Sequence, residues 1–565
     1  MDEQQAGWDL EVDVVILGSG AAALVAAMAA DEYGAGEVVV LEKSGMVGGT
    51  SAMSGGMMWI PLNHHAQADG IDDSMEEVVT YLDALAPGEL DADTLSAYLE
   101  SGPEMVRFLA DHTPAKLRHF TGFPDYQPNV PGAKPHGGRS LDNDVFAFEE
   151  LGSQATRVNP PKTGVPKLLS RFEEKWGGVS AEELEERKRR DCRGQGQALI
   201  GSLFKGILDR RIPVIYEARA RSLVTEGGRI VGVEADQERG SIRVRARKGV
   251  IIATGGFEWN KDLVRTFLRG PMTGPISVPE CEGDGLLMAL EVGASLGNMS
   301  RAWWMTSSKE SKAGHRDARP NFLASASERA FPGSIMVNRR GQRFVNEAMN
   351  YNALGFALHT FDPSTYEWVN LPYWLIFDSR YMRNYRMFTS VAGEPPPPWA
   401  KRADTLHELA AIVGIDGDGL EATVQRFNGF VRKGHDDDFG RGDDTWDHWV
   451  GDWTLPAPMS CLGQIDEAPF YAIEMEAGVN GTCGGPRANA NAQVIDWKDR
   501  PIEGLYVCSN TMAAVTAGHY GGGGGTLGPG MTFGYIAGRH VATQPPRCYA
   551  KAGITASENS CVARR

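Results

Sequence analysis

Apolar and polar positions alternate along this chain in blocks that read as strand, turn and helix. VDVVILGSGAAALVAAMAA opens with an apolar run at residues 12–17, passes through a glycine-rich turn and continues as an alanine-rich helix. VVVLEK follows as a second strand ending at Glu42. Much later, VIYEARARSLVTEGGRIVGVEA has the two-residue alternation and Gly-Gly break of a β-meander, and RKGVIIATGGF is an apolar strand closing on Thr254, Gly255 and Gly256. GQRFVNE reads as a turn and short strand, and SAEELEERKRRD as a charged helix with opposite charges four residues apart. Near the end IEGLYVCSN is a short strand closing on Asn510, and LGPGMTFGYIAGRHVA starts a helix with Pro529 in its first turn. Strand and helix alternate as in an α/β fold with a parallel sheet.

Composition narrows the class. The 565 residues are too many for one simple core, so two or three domains are expected. Apolar residues at 42% suit a soluble globular chain, and 73 acidic against 56 basic residues (net −17) disfavour nucleic acid and anionic membrane as partners. The acidic start lacks the layout of a signal peptide, and no long uncharged apolar stretch occurs. Seven scattered cysteines form neither a disulfide framework nor a metal motif, which fits the cytoplasm. His64 and His65 are adjacent rather than three or four apart, so no metal is assigned.

The first strand, turn and helix carry chemistry. Gly18 and Gly20 stand at the first two glycine positions of a dinucleotide fingerprint and Ala23 at the third. The first allows the tight turn, the second lets pyrophosphate approach the backbone, and the small third residue lets helix pack on strand. Glu42, 22 residues past Gly20, stands where an acid would hold a ribose hydroxyl. A second glycine-rich loop follows, running from Lys43 through Gly48, Gly49, Thr50, Ser51, Gly55 and Gly56. In GHYGGGGGTLGPG, five glycines, Gly521 to Gly525, follow Tyr520 and precede a helix start. Bare backbone there lets a ligand lie close, and the free N–H groups of the helix end favour negative charge.

This layout resembles FAD-dependent oxidoreductases of the fumarate reductase and succinate dehydrogenase superfamily. The resemblance implies a Rossmann-like FAD-binding domain at 1–290 and 479–545, an inserted α+β substrate domain at 291–478 and a loose tail at 546–565. It adds Ala218, Ala253, Gly255, Gly256, Asn510, Gly525 and Leu527 to the flavin contacts. SAMSGGMMW lacks the histidine that tethers flavin in some relatives, so FAD is expected to be non-covalent.

GHYGGGGGTLGPGMTFGY is further similar to the GxxYPGPGxxxGxAMxFxY segment of bacterial 3-ketosteroid Δ1-dehydrogenases. Tyr520 falls on the family tyrosine and Gly524 on the glycine whose amide binds the substrate ketone. Gly521 and Gly523 replace the family prolines, which predicts a looser loop. GFPDYQP places Tyr126, and GQRFVNEAMNY places Tyr351, on the family's assisting and proton-abstracting tyrosines. RGQGQALIGSL, RAWWM and DFGRGDDTWD also resemble family stretches, whereas residues 155–192 are additional. Phe123, Trp303 and Trp304 are candidates to line an apolar substrate slot.

The implied activity is desaturation of a 3-oxosteroid ring A, with an external electron acceptor that the sequence does not name. Since a free phenol titrates near pH 10, a tyrosine base implies turnover rising between about pH 7 and 9. Rival readings are desaturation of smaller cyclic ketones or of the steroid Δ4(5α) bond, a fumarate-type reductase, and a non-catalytic FAD-binding protein. A fumarate reductase needs clustered Arg and His groups that are not evident here.

Overall fold

A computed structural model describes residues 7–162, 164–313 and 319–546. The expected loose tail, beyond residue 546, and Cys548 and Cys561 lie outside the described residues.

The valine-rich strand Leu10–Leu17 is the middle of the main sheet. It pairs in parallel with Gly240–Ile252 on one side and with Val38–Leu41 on the other. Pro501–Val507 extends the parallel sheet beyond Gly240–Ile252, and Val214–Ile215 extends it beyond Val38–Leu41. Such strands are buried on both faces, which explains their unbroken apolar runs. The meander is present as Arg219–Glu226, Arg229–Gln237 and Gly240–Ile252, paired antiparallel.

A second sheet, almost wholly antiparallel, is ordered Pro320–Ala324, Ala302–Ala313, Phe470–Thr482, Tyr373–Asp378, Ser334–Asn338. Gly274–Pro275 and Lys401–Ala403 pair with its long strand Phe470–Thr482. Two apolar clusters cover this sheet, one centred on Ile335, Ile376 and Phe427 and the other on Leu375, Phe377 and Ile473.

GQRFVNE differs from its expected turn and strand. The strand ends earlier, at Asn338, and residues 341–347 are irregular. Arg343 and Glu347 are the reason. Both are buried, and Arg343 bridges Glu347 and Asp436 at 2.7 and 2.9 Å, so the backbone follows an ion-pair network rather than a ladder.

One packing contact positions the site. The last helix, Leu527–Thr543, lies along the first, Ala21–Glu32. A Cβ on Gly534 or Gly538 would stand 2.3 Å from the carbonyl oxygen of Ala22 or Ala26, respectively. Contacts advancing in the same direction on both helices make them parallel. Both N-termini therefore point to the same end of the main sheet, where the parallel strands also finish. That is where ligands bind in open α/β sheets.

Candidate active site

A cavity of about 1050 Å³ opens at that end. A pocket for one drug-sized ligand occupies roughly 300–1,000 Å³, so there is room for a long cofactor and a second molecule. Its wall includes the expected Gly18, Gly20, Glu42, Lys43, Gly49, Thr50, Ser51, Gly55, Gly56, Ala218, Ala253, Gly255, Gly256, Asn510 and Leu527. Phe123, Tyr126, Tyr351, Tyr520 and Gly524 line the same space.

Five expected residues do not reach this wall. Ala23 is buried in the first helix, consistent with a packing role at the third fingerprint position. Gly48 sits behind the loop, where a Cβ would meet Ile200 and Ala52 at 2.8 and 2.9 Å. Gly525 lies against the Tyr520 ring and faces a separate small cleft. Trp303 packs edge-on against Tyr520 at 4.8 Å, supporting it from behind. Trp304 points away and packs on His359 at 4.3 Å. The strand is bulged between the two, and their rings enter different apolar clusters, so the pair does not line one slot together.

The donor set suits a dinucleotide. Neither the first nor the last helix has a side-chain cap at its N-terminus, and both N-termini contribute to the cavity wall. Their free N–H groups favour phosphate or a developing negative charge. Glu42, at the end of the second strand, is buried. One of its oxygens accepts from the Ser19 hydroxyl (2.5 Å) and the other from the Ser44 amide (2.7 Å). Burial raises its pKa despite these bonds. Lys43 is held at 2.8 Å from both Glu282 and Asp284.

The glycine run is enclosed on both sides, contrary to the expected looser loop. A Cβ on Gly521 or Gly522 would stand 2.5 or 2.6 Å from the Trp59 ring, and one on Gly523 would stand 2.7 Å from Phe123. Gly524 has φ +94°, and its Cβ would meet the Met58 backbone at 2.4 Å. The Gly521 carbonyl accepts from the Tyr126 amide (3.0 Å) and the Tyr81 hydroxyl (2.8 Å), while the Trp59 amide donates to the Gly524 carbonyl (3.1 Å). Trp59 is itself anchored through its indole N–H to Asp125, beside Arg139.

Three tyrosines from distant segments meet beside this run. Tyr126 follows Asp125 in a loop. Tyr351 opens the helix Tyr351–Leu358, capped by the Asn350 side chain. Tyr520 immediately precedes the glycines. Ring centroids are 5.4 Å apart for Tyr126–Tyr351 and Tyr351–Tyr520, and 5.8 Å for Tyr126–Tyr520. The Tyr126 and Tyr351 hydroxyls are hydrogen-bonded at 2.7 Å.

Burial pushes Tyr126 and Tyr520 well above the ordinary phenol range, and the neighbouring Tyr351 charge adds to it. Burial also raises Tyr351, but the Tyr126 and Tyr520 hydroxyls and the Arg171 and Arg329 charges all favour its anion. Tyr351 is therefore the member of the trio whose phenolate the surroundings support.

Four contributors were not singled out from sequence. Asn480 donates to the Tyr520 hydroxyl at 3.4 Å. Trp446 packs on Tyr126 at 4.4 Å and is fixed by its indole N–H to the Ala348 carbonyl. It lies within DFGRGDDTWD, so the resemblance of that stretch was the available signal. Arg329 is fully buried below the trio, its guanidinium held by the Glu347 carbonyl. Arg171 lines the cavity from the additional segment, for which the family pattern offers no guide.

Comparison with known proteins fits this arrangement. Residues 13–527 match the FAD binding domain family. A 3-oxosteroid 1-dehydrogenase of Mycolicibacterium smegmatis is 36% identical over 94% of this chain and 97% of its own length. The chain belongs to the 3-oxosteroid 1-dehydrogenase family of FAD-dependent oxidoreductases. Within the same range of similarity, a 4-oxocyclohexanecarboxylate 2-dehydrogenase of Sinomonas cyclohexanicum is 39% identical, covering 94% of this chain and 93% of the relative. The crystal structure of a family member, 3-ketosteroid Δ1-dehydrogenase from Sterolibacterium denitrificans in complex with 1,4-androstadiene-3,17-dione, superimposes with TM-score 0.87 at 34% identity. That match covers 94% of this chain and 99% of the other. Among the described residues no helix is long and apolar enough to cross a membrane.

Proposed function

We propose that this enzyme desaturates the bond between carbons 1 and 2 of a 3-oxosteroid ring A. In this reading, residues 1–290 and 479–545 hold the cofactor and residues 291–478 form the inserted substrate domain. The observation that carries it is the convergence of Tyr126, Tyr351 and Tyr520 beside the Gly524 amide on one cavity wall.

The ketone oxygen is held by the Tyr520 hydroxyl and the Gly524 amide, two donors aimed at developing enolate charge. The Gly524 amide makes no backbone hydrogen bond among the described residues, so it is available for this. Polarisation acidifies carbon 2, and Tyr351 removes its proton. Tyr126 supports the Tyr351 phenolate through the 2.7 Å bond. FAD, when bound, supplies the acceptor for the hydride that leaves carbon 1, at flavin N5. Gly18, Gly20 and Glu42 serve its adenosine and pyrophosphate, and the loop from Gly49 to Gly56 with the start of the last helix serves its ring.

A smaller six-membered ring ketone is the second reading, favoured by the 39% identical relative named for 4-oxocyclohexanecarboxylate. Anaerobic mixing of the holoenzyme with a panel of ring ketones tests both. Bleaching of the flavin by 4-androstene-3,17-dione supports the steroid reading. Bleaching by single-ring ketones alone supports the second, and no bleaching by any ketone contradicts both.

A further inference from the structure

The part of the cavity beyond the tyrosines is walled by aromatic rings in series. Phe123 lies 6.3 Å from Tyr126 and Trp449 lies 5.2 Å from Phe123, and Trp449 is backed from outside the wall by Trp176 at 5.7 Å. Trp176 ends the short helix Arg171–Trp176, which belongs to the segment that the family pattern lacks. A cation stands in the same cavity wall.

That cation is Arg171. Its guanidinium lies across Gly55 in the cavity wall, with Nε and Nη2 at 3.2 and 3.4 Å from where a Cβ on Gly55 would stand. Its Nε is buried and has no hydrogen-bond partner among the described residues. Its one ion pair is a long one, Nη1 to Glu174 at 3.3 Å, and the other oxygen of Glu174 is occupied at the same distance by Lys167. The nearby Asp142 carboxylate spends one oxygen on the Phe172 amide and makes no hydrogen bond to Arg171. Lys175, one turn on, is committed elsewhere: it donates to the Trp449 carbonyl at 2.8 Å and lies over the Trp449 ring.

A buried guanidinium N–H without an acceptor is costly, and its planar fork matches a carboxylate with two parallel bonds. Phe172, the next residue, packs on Phe120 at 5.9 Å, and Phe120 packs on Phe123 at 5.2 Å, which places Arg171 on the tyrosine side rather than at the adenosine end of the cavity.

We propose that Arg171 selects ring ketones that carry a carboxylate at the end remote from the carbonyl, and holds that carboxylate through its guanidinium. This rests on the reading of the tyrosine wall as the ketone site. Arg171 determines specificity and, apart from the support its charge gives the Tyr351 anion, takes no part in moving the proton or hydride. The carboxylate can stand on a single ring or on the side chain of a steroid; the two lie at different distances from the ketone, so a fixed fork serves one of them.

The test compares acids with their methyl esters on the FAD-loaded enzyme: 4-oxocyclohexanecarboxylate for one ring and 3-oxochol-4-en-24-oate for a steroid. For at least one pair, kcat/KM should favour the acid by roughly 10- to 100-fold, the expected loss when a charged hydrogen-bonded pair is removed. The favoured pair identifies the ring system. Arg171→Leu should raise KM for that acid, and not for its ester, by the same factor; losing the charge that favours the Tyr351 anion should lower kcat for both alike, with the flavin absorbance unchanged. Arg171→Lys should recover only part of the loss. Equal use of acid and ester by the unmodified enzyme in both pairs overturns the proposal, as does an Arg171→Leu variant whose KM changes equally for acid and ester. Absence of flavin bleaching by every ketone instead counts against the underlying site, so the two failures are distinct.

Discussion

Replacing Tyr520 by Phe removes one atom from the centre of the site. The ring should stay in place, because Trp303 and Tyr126 pack on it and the hydroxyl's bond from Asn480 is long, at 3.4 Å. Loss of so weak a bond costs under about 1 kcal/mol of stability. The catalytic cost is larger and has two sources. One of two donors to the enolate oxygen disappears, which typically slows turnover by about 100- to 1,000-fold, or roughly 2.7–4 kcal/mol. The Tyr520 hydroxyl also favours the Tyr351 anion, so its removal raises the pKa of Tyr351 further and shrinks the ionised fraction at any given pH. Both act in the same direction. Steady-state turnover of a ring ketone, together with FAD absorbance and the melting temperature, measures the effect. A Tyr520→Phe enzyme with normal FAD content and unmodified turnover would reduce Tyr520 to a packing residue and refute the two-donor hole.

Three other outcomes are expected. Burial holds the Tyr351 pKa above the ordinary phenol value, so its active, deprotonated form is lost as pH falls. Turnover should climb about tenfold per pH unit from pH 7 and continue past pH 9, beyond the range expected from sequence; a plateau near pH 7 in the pH–rate profile would contradict this. Gly522→Ala would drive a methyl group to 2.6 Å from the Trp59 ring and should destabilise the protein by about 1–3 kcal/mol by thermal melting, whereas a freely moving loop would absorb it unchanged. Acid precipitation of the yellow holoenzyme should release FAD into the supernatant, and colour retained by the polypeptide would mean a covalent flavin.

The cofactor half of this fold was legible because strand, glycine turn, helix and acid follow one another within residues 12–42. Their order alone places Gly20 and Glu42 on one cavity. The tyrosines were not legible in that way. Tyr126, Tyr351 and Tyr520 lie in three loops or helix starts far apart in sequence, where periodicity carries no information, and only their likeness to family motifs brought them together. Side-chain direction was the weakest reading. RAWWM offers two tryptophans, but in a strand bulged between them Trp303 packs on Tyr520 and Trp304 on His359. GQRFVNE read as a turn and short strand because burial of Arg343 and Glu347 depends on partners almost a hundred residues away, Asp436 and Arg441. Arg171 was invisible for the opposite reason. It stands in a segment with no family counterpart, and only the folded chain shows it in the cavity wall.

The proton-transfer role of Tyr351 is tested most directly by exchange of substrate carbon-2 protons with heavy water in a Tyr351→Phe variant that retains FAD. The ring and its contacts with Tyr126 and Tyr520 remain, while the oxygen that takes the proton is gone. Exchange, followed by NMR or mass spectrometry under anaerobic conditions, should fall to the non-enzymatic rate together with desaturation, because the enolate no longer forms. Exchange at the rate of the unmodified enzyme would show that another group removes the proton and would contradict the account.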